Sequence, residues 1–243
     1  GMRCLVLSDI HSNLEAFETV LDHAGAVDQI WCLGDVVGYG PDPNGCVELL
    51  RSRPHRCIAG NHDWATLGKL DLQDFNPDAR EANLWNRKQL TPGNLAYLEG
   101  LPESLVEGQF TLIHGSPRHP IWEYIIYAST AETNFEHFET PYCLVGHTHS
   151  PVVFRASEDG RRVKEIQPPL GEPLALGPER LILNPGSVGQ PRDGDPRASY
   201  AILDDEAMTI EYHRVSYPVE ETQHKMIEHG LPARLVLRLG YGW

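Results

Sequence analysis

Five short polar motifs between residues 9 and 149 contain the side chains of this chain that are best suited to chemistry. Two carboxylates, four imidazoles and one amide are candidate metal ligands, and they lie in the segments Asp9-x-His11, Gly34-Asp35, Gly60-Asn61-His62-Asp63, His114-Gly115 and Gly146-His147-Thr148-His149. Mixed nitrogen and oxygen donors are typical of transition-metal sites. The motifs contain no thiolate, so a structural zinc site fits them poorly.

The spacing within the motifs supports a shared site. Residues two apart in extended chain project to the same side, so Asp9 with His11, and His147 with His149, can each present two donors to one point. Glycines permit tight turns where donors converge, and they stand at positions 34, 60, 115 and 146. One such motif alone is common in turns and on surfaces, whereas five in sequence favour a metal site.

Each motif follows a predicted strand. Short apolar runs predict strands at Arg3–Ser8, Gln29–Leu33, Arg56–Ala59, Phe110–Ile113 and Tyr142–Val145. An apolar pattern of helical period follows the first strand, and such strand–helix alternation implies a parallel sheet with right-handed crossovers. Loops at the carboxyl ends of its strands are where an open α/β sheet places its functional sites.

The rest of the chain predicts a helical region and a β-rich region. Residues 64–102 lack strand-like runs and form a helical excursion, stopped by Pro77, Pro92 and Pro102, that could cap part of the site. From Val152 onward, short β-rich runs are separated by turn signals, and a final helix is predicted at Val219–His229. We therefore expect two sheets packed face to face within a single domain, residues 1–243.

The charge balance limits the partners of the protein. With 34 acidic and 20 basic residues, the formal net charge is −14. Long nucleic acids are therefore not expected as ligands, because clustered Lys and Arg are needed to bind them. A small anionic substrate is compatible with this charge, because bound metal ions can dominate the local field. No apolar run approaches the ~18 residues of a membrane-spanning helix, so no membrane association is expected.

Cysteine usage bears on the compartment. Five cysteines occur without a CxxC pair, and four of them sit in short apolar runs. We expect buried, reduced thiols, which favour a cytoplasmic location. The N-terminal residues do not show the pattern of a signal peptide.

In their order and spacing, the five motifs resemble the signature of the calcineurin-like metallophosphoesterases. The segments 34–41 and 184–189 (GDVVGYGP and NPGSVG) are similar to those of its small bacterial and archaeal phosphodiesterase-like branch. The resemblance implies an α/β fold, a four-layer α/β/β/α sandwich of two mixed sheets with flanking helices.

The resemblance also implies two divalent transition-metal ions, which in this family are Mn, Fe, Zn or Ni. One ion would take Asp9, His11 and His149, the other Asn61, His114 and His147, and Asp35 would bridge both. Two cations about 3.5–4 Å apart can hold a shared hydroxide and clamp phosphoryl oxygens. The chain is thus expected to be a hydrolase, a metal-dependent phosphoesterase.

His62 is the candidate general acid, since a protonated imidazole suits donation to a leaving alkoxide near pH 7. The alternative is a loop residue that is only held by hydrogen bonds. In the protein phosphatases of this family an Asp-Arg pair orients the corresponding histidine, whereas Gly38 and Tyr39 stand here. This difference weakens the protein-phosphatase interpretation and leaves open what orients His62; Asp63 is adjacent only in sequence.

Three residues are candidate substrate contacts. Arg192 suits bidentate phosphate binding but could equally be a solvated surface residue. Asn13 could contact substrate or, by a slight preference, cap the first helix. Tyr39 could stack on a base or simply pack. The tryptophans at 64, 85 and 122 are expected in the core rather than in a base-binding platform.

These observations favour hydrolysis of a small phosphodiester or nucleotide, and they leave other functions open. Within the same class, a phosphomonoesterase or a dinucleoside polyphosphate hydrolase is compatible with the motifs. A binding scaffold of the same fold would be expected to lose ligands or the acid histidine, and all are present. A DNA-repair nuclease would need a basic groove, and no Lys/Arg stripe is visible.

Overall fold

Twelve strands and eight α-helices make up the computed structural model, which describes residues 1–243. The strands are β1 (Arg3–Leu7), β2 (Gln29–Cys32), β3 (His55–Cys57), β4 (Ser104–Glu107), β5 (Phe110–Ile113), β6 (Tyr142–Leu144), β7 (Val152–Ala156), β8 (Val163–Ile166), β9 (Leu174–Ala175), β10 (Leu181–Asn184), β11 (Ala198–Asp204) and β12 (Thr209–Val215). The helices are α1 (Leu14–Ala24), α2 (Pro43–Arg51), α3 (Asn61–Leu67), α4 (Pro77–Gln89), α5 (Pro92–Glu99), α6 (Ala128–Asn134), α7 (Val219–Glu228) and α8 (Ala233–Arg238).

The strands form two six-stranded sheets, in the orders β3-β2-β1-β11-β12-β9 and β4-β5-β6-β10-β7-β8. In the first sheet β1, β2 and β3 are parallel, and antiparallel pairing adds β11, β12 and β9. In the second sheet β5, β6 and β10 are parallel, and β4, β7 and β8 are added by antiparallel pairing. Both sheets are therefore mixed, and each takes strands from the two halves of the sequence.

Alternation along the strands builds the layers, as β1 illustrates. Cys4 and Val6 point into a cluster of 17 buried residues between the two sheets. Leu5 and Leu7 point the other way, into a cluster of 23 that includes residues of α1 and α2. Because successive side chains of a strand face opposite sides, a strand covered on both faces has an unbroken apolar run. A third cluster joins the second sheet to α6. The predicted four-layer α/β/β/α sandwich is confirmed.

The helical excursion consists of the end of α3 followed by α4 and α5. The prediction that Pro77 and Pro92 stop helices is wrong, because they occupy the first turns of α4 and α5. Asn76 and Thr91 accept hydrogen bonds from main-chain N–H groups of these first turns. Proline is favoured at such positions, where its missing N–H would have no helical partner.

The C-terminal helices pack against this excursion. The helix α7 begins at the predicted residue, while α8 is an additional helix that sequence patterning did not predict, as are the strands β4 and β9. A fourth apolar cluster joins residues of α3, α4, α7 and α8 to Tyr39, in the loop after β2. None of the eight helices combines the length and the apolar character needed to cross a bilayer.

Candidate metal centre

The seven candidate ligands come together from the segments that follow β1, β2, β3, β5 and β6; six lie in loops, and Asn61 is the first residue of α3. Each of them is at most 3% exposed. Five have a positive φ, between 48° and 74°: Asp9, His11, Asp35, His147 and His149. This conformation is uncommon for residues other than glycine, and it persists only where the surrounding structure enforces it. Strain of this kind concentrates at functional sites.

The ligands form two adjacent groups. In the first, His149 Nε2 lies 3.2 Å from Asp9 Oδ1 and 3.2 Å from His11 Nε2. In the second, which also contains His147, His114 Nε2 lies 3.1 Å from Asp35 Oδ2. The same Asp35 oxygen is 3.6 Å from His11 Nε2 in the first group. Asp35 therefore contacts both groups, as a bridging ligand would.

Main-chain carbonyl groups fix the orientation of all four imidazoles. Nδ1 of His11, His114 and His149 donates to the carbonyl oxygens of Val37 (3.0 Å), Leu33 (2.6 Å) and Gln190 (2.6 Å), respectively. In His147 the ring is reversed, and Nε2 donates to the carbonyl oxygen of Trp122 (3.0 Å). Each ring thus keeps one nitrogen for the centre, Nε2 in three rings and Nδ1 in His147. Such outward hydrogen bonds typically set the tautomer of metal-binding histidines.

Asn61 Oδ1 is buried without a hydrogen-bond partner, and the buried atoms Asp9 Oδ1 and His114 Nε2 face only other candidate ligands. Burying a polar atom without a partner costs free energy, and a bound cation would remove that cost. Two carboxylates, an amide oxygen and imidazole nitrogens suit a first-row transition metal. The residues present therefore fit a pair of divalent cations.

The ionisation of these groups agrees with metal binding. Burial lowers the pKa of His147 and of His149 to about 3, so both rings are neutral at neutral pH. Burial opposes ionisation of Asp9, but its histidine neighbours hold the pKa of this carboxyl well below its usual range. Burial would lower the pKa of His114, but the Asp35 carboxylate raises it to about 10. Metal binding would displace that proton, as it does wherever ligands must be deprotonated.

Asn83 orients the candidate acid His62. The Asn83 Oδ1 atom accepts a hydrogen bond from His62 Nδ1 (3.1 Å), and both side chains are buried. The ring of His62 packs between Tyr39 (4.4 Å between centroids) and Phe75 (5.1 Å). The helix α4 thus supplies the hydrogen-bond acceptor that the sequence left unidentified. Asp63 has a different role, since its carboxylate accepts hydrogen bonds from the main-chain N–H groups of Asp35, Val37 and Gly60.

The positions of Asn83 and His62 explain why residue 38 is a glycine. Gly38 has φ +92°, and a Cβ there would lie 2.9 Å from Asn83 Oδ1 and 3.0 Å from His62 Nδ1. A carboxylate side chain at position 38 therefore has no room, and the acceptor for His62 comes from α4 instead.

Replacing Asn83 by leucine is expected to lower kcat by about tenfold to a hundredfold for substrates with poor leaving groups, with little change in KM. The change removes the acceptor for His62 Nδ1 while keeping the side-chain volume, and it removes the buried Nδ2, which has no partner. Steady-state kinetics of the leucine and aspartate variants check this prediction. Asn83→Asp keeps an acceptor and should recover much of kcat; equal losses in both variants would contradict the positioning role.

The three candidate substrate contacts differ in their surroundings. Asn13 caps α1 through Ala16 N, and its amide donates to Gly189 O (3.0 Å) and Tyr217 Oη (3.1 Å). These bonds occupy the side chain of Asn13, which acts as a helix cap, the slightly preferred interpretation of this residue. Tyr39 is buried against His62. Arg192 lies next to Tyr39 and donates a hydrogen bond to the Tyr39 hydroxyl (3.4 Å).

Aromatic residues of the loop before α6 also line the centre, and sequence patterning missed them. Tyr124 is 46% exposed and stacks on the ring of His147 at 3.8 Å. Trp122, expected in the core, is 40% exposed and contacts Phe75 at 5.3 Å between ring centroids. Trp64 and Trp85 are half-buried. The run of aromatic and aliphatic residues at 121–127 was the signal that this loop forms a surface near the site.

The chain is similar to several known proteins. An uncharacterised protein of Methanocaldococcus jannaschii is 39% identical over 244 residues, covering 98% of this chain and 97% of that protein. The crystal structure of a metallophosphoesterase from Sphaerobacter thermophilus superposes with a TM-score of 0.91 at 52% identity, covering 100% of this chain and 99% of that one. A symmetrical bis(5′-nucleosyl)-tetraphosphatase of Pseudomonas putida is 30% identical over an alignment of 105 positions that covers 36% of each protein.

Residues 2–208 match the sequence profile of the calcineurin-like phosphoesterase superfamily domain. This match covers most of the chain and includes every motif of the metal centre. The chain therefore belongs to the calcineurin-like phosphoesterase superfamily.

Proposed function

We propose that the protein hydrolyses a small phosphodiester or nucleotide with the help of two divalent transition-metal ions. The observation that carries this proposal is the convergence of two ligand groups on Asp35, with buried ligand atoms that no protein group satisfies. The donor set suits Mn, Fe, Zn or Ni. A binding scaffold would have no need to bury seven such donors and an oriented histidine.

When bound, such a pair of cations supplies an activated water as nucleophile and neutralises charge on the phosphoryl oxygens. The chain's own residues hold the substrate phosphate in line and provide a proton for the leaving alkoxide. Burial lowers the pKa of His62 to about 4, so the resting ring is neutral. A phosphate anion beside the ring would raise that pKa, because an opposite charge favours the protonated form. Substrate binding would thus favour the protonated form of His62.

Dinucleoside polyphosphate hydrolysis is a second candidate within this class. The exposed rings of Trp122 and Tyr124 beside His147 could stack on a nucleobase. The partial similarity to a bis(5′-nucleosyl)-tetraphosphatase supports the same substrate type. Both observations favour a nucleotide over a simple phosphomonoester.

Hydrolysis of bis-p-nitrophenyl phosphate and of p-nitrophenyl phosphate by Mn²⁺-loaded protein tests the proposal. We expect the diester to be preferred by about tenfold or more in kcat/KM, the margin of one well-placed interaction. Protein treated with a chelator is the control and should be inactive. A monoester preference would indicate a phosphatase, and lack of turnover with metal shown to be bound would contradict the proposal.

We also propose a cytoplasmic location and a small phosphoester, rather than a long nucleic acid or a membrane, as the ligand. All five cysteines are buried and unpaired, which suits a reducing compartment. The net charge of −14 disfavours long polyanions.

A further inference from the structure

Two arginines near Tyr39 and the candidate metal centre form no ion pair with an Asp or Glu side chain. The first is Arg192, which donates to Gln190 Oε1 (2.7 Å) and to the hydroxyl of Tyr39 (3.4 Å). The ring of Tyr39 in turn lies 4.7 Å from that of the candidate ligand His11 and 4.4 Å from that of His62. The ring of Tyr39 thus lies between the guanidinium group of Arg192 and the rings of His11 and His62.

The second is Arg238, at the end of α8. This helix packs against Tyr39 through Leu235 and Val236. The turn after α8 is fixed to the loop that follows Arg192, since Gly194 N donates to Gly242 O (2.9 Å). Arg238 Nε donates to the main-chain oxygen of Trp243 (2.7 Å), which leaves both Nη atoms without a protein partner.

Neither of these two guanidinium groups is neutralised by a carboxylate side chain. Four other arginines form ion pairs with carboxylates: Arg56, Arg118, Arg197 and Arg214. Burial and the nearby charge of Arg192 lower the pKa of Arg238. Placing two like charges close together costs free energy unless an anion compensates them. Guanidinium groups bind phosphate through two parallel hydrogen bonds, so a phosphate suits this position.

We infer that Arg192 and Arg238 form a second anion subsite, which binds a non-reacting phosphate of a substrate with consecutive phosphate groups. The inference rests on the proposed function, in that the reacting phosphate occupies the metal centre. Beyond Arg238 lies a cavity of about 660 Å³, lined also by Trp243 and Asn76, with room for the rest of a nucleotide. Nucleoside polyphosphates and dinucleoside polyphosphates are the ligand class that meets these requirements.

Calorimetric titration of the Mn²⁺-loaded protein with AMP and with adenosine 5′-(α,β-methylene)diphosphate tests the subsite. The diphosphate analogue is expected to bind at least about tenfold more tightly than AMP, because it adds charge-assisted hydrogen bonds. In Arg192→Ala and Arg238→Ala the ratio of the Kd for AMP to the Kd for the diphosphate analogue should fall towards one. Arg161→Ala is the control: it removes the same charge from the exposed turn between β7 and β8, away from the cavity, and should keep the ratio.

A ratio near one in the wild-type protein would overturn the subsite, as would an unchanged ratio in Arg238→Ala or an equal loss in Arg161→Ala. Hydrolysis of bis-p-nitrophenyl phosphate, which has a single phosphate, reports separately on the proposed function. Retained hydrolysis with a ratio of one overturns the subsite alone. A high ratio that depends on both arginines, with no hydrolysis, overturns the proposed function and supports the anion subsite.

Discussion

Replacing Asp35 by alanine is expected to remove bound metal and activity together. One carboxylate oxygen of Asp35 lies 3.1 Å from His114 Nε2 and 3.6 Å from His11 Nε2, so a single atom serves both ligand groups. Its loss leaves neither group with its full set of donors. We expect metal content to fall to roughly half of the wild-type value or less, and kcat/KM to fall at least about 10³-fold. Elemental analysis after metal loading and desalting, with kinetics on the same sample, checks both.

Two further variants separate metal loss from other effects. Asp35 Oδ1 also accepts a hydrogen bond from His62 N (2.9 Å), which Asp35→Asn would preserve. The asparagine variant should therefore keep the loop in place and still lose metal, because its amide is a weaker ligand than a carboxylate. Asp22→Ala removes an exposed carboxylate from α1 and should change neither quantity. Full metal occupancy in Asp35→Ala would show that the bridging assignment is wrong.

The position of the candidate metal ligands could be predicted from sequence because of where they stand along the chain. Asp9, Asp35 and Asn61 follow three parallel neighbours of one sheet, so their loops emerge at the same edge. His114 and His147 follow two neighbouring strands of the other sheet. Local signals of period two thus fix the strand ends, and sheet topology brings these ends together.

Contacts made by whole helices could not be predicted in this way. Asn83 meets His62 only because α4 packs across the loop after β2, and that crossing depends on the apolar surfaces of α3, α7 and α8. The buried face of α4 carries Ala79, Ala82, Asn83 and Asn86, and two of these residues are polar. Apolar periodicity therefore shows neither this face nor the loop that it covers. The proximity of Arg238 to Arg192 depends on tertiary packing in the same way.

The role of Pro77 and Pro92 could have been predicted correctly from the residues next to them. Asn76-Pro77 and Thr91-Pro92 each combine a capping residue with a proline at the first helical position, which is a start signal rather than a stop signal. The exposure of Trp122 was harder to foresee, because the short aromatic and aliphatic run at 121–127 has no regular period from which the burial of each residue could be read.

Replacing His62 by alanine is expected to leave the metal bound and to slow hydrolysis most for substrates with poor leaving groups. The His62 ring donates to Asn83 and packs on Tyr39, and it belongs to neither ligand group. Loss of a positioned general acid costs about 10²–10⁴-fold when the departing alkoxide needs a proton. A p-nitrophenolate leaves without one, so its esters should lose less than about tenfold. The dependence of log kcat on leaving-group pKa, measured in wild type and variant, checks this.

The steepness of that dependence decides the role of His62. If His62 protonates the leaving group, wild-type rates vary weakly with leaving-group pKa and those of His62→Ala vary strongly. His224→Ala is the histidine control: its side chain is 73% exposed on α7 and pairs with Glu228, so the dependence should match wild type. Parallel lines for wild type and His62→Ala would show that His62 only binds the substrate, because loss of a purely binding group slows good and poor leaving groups equally.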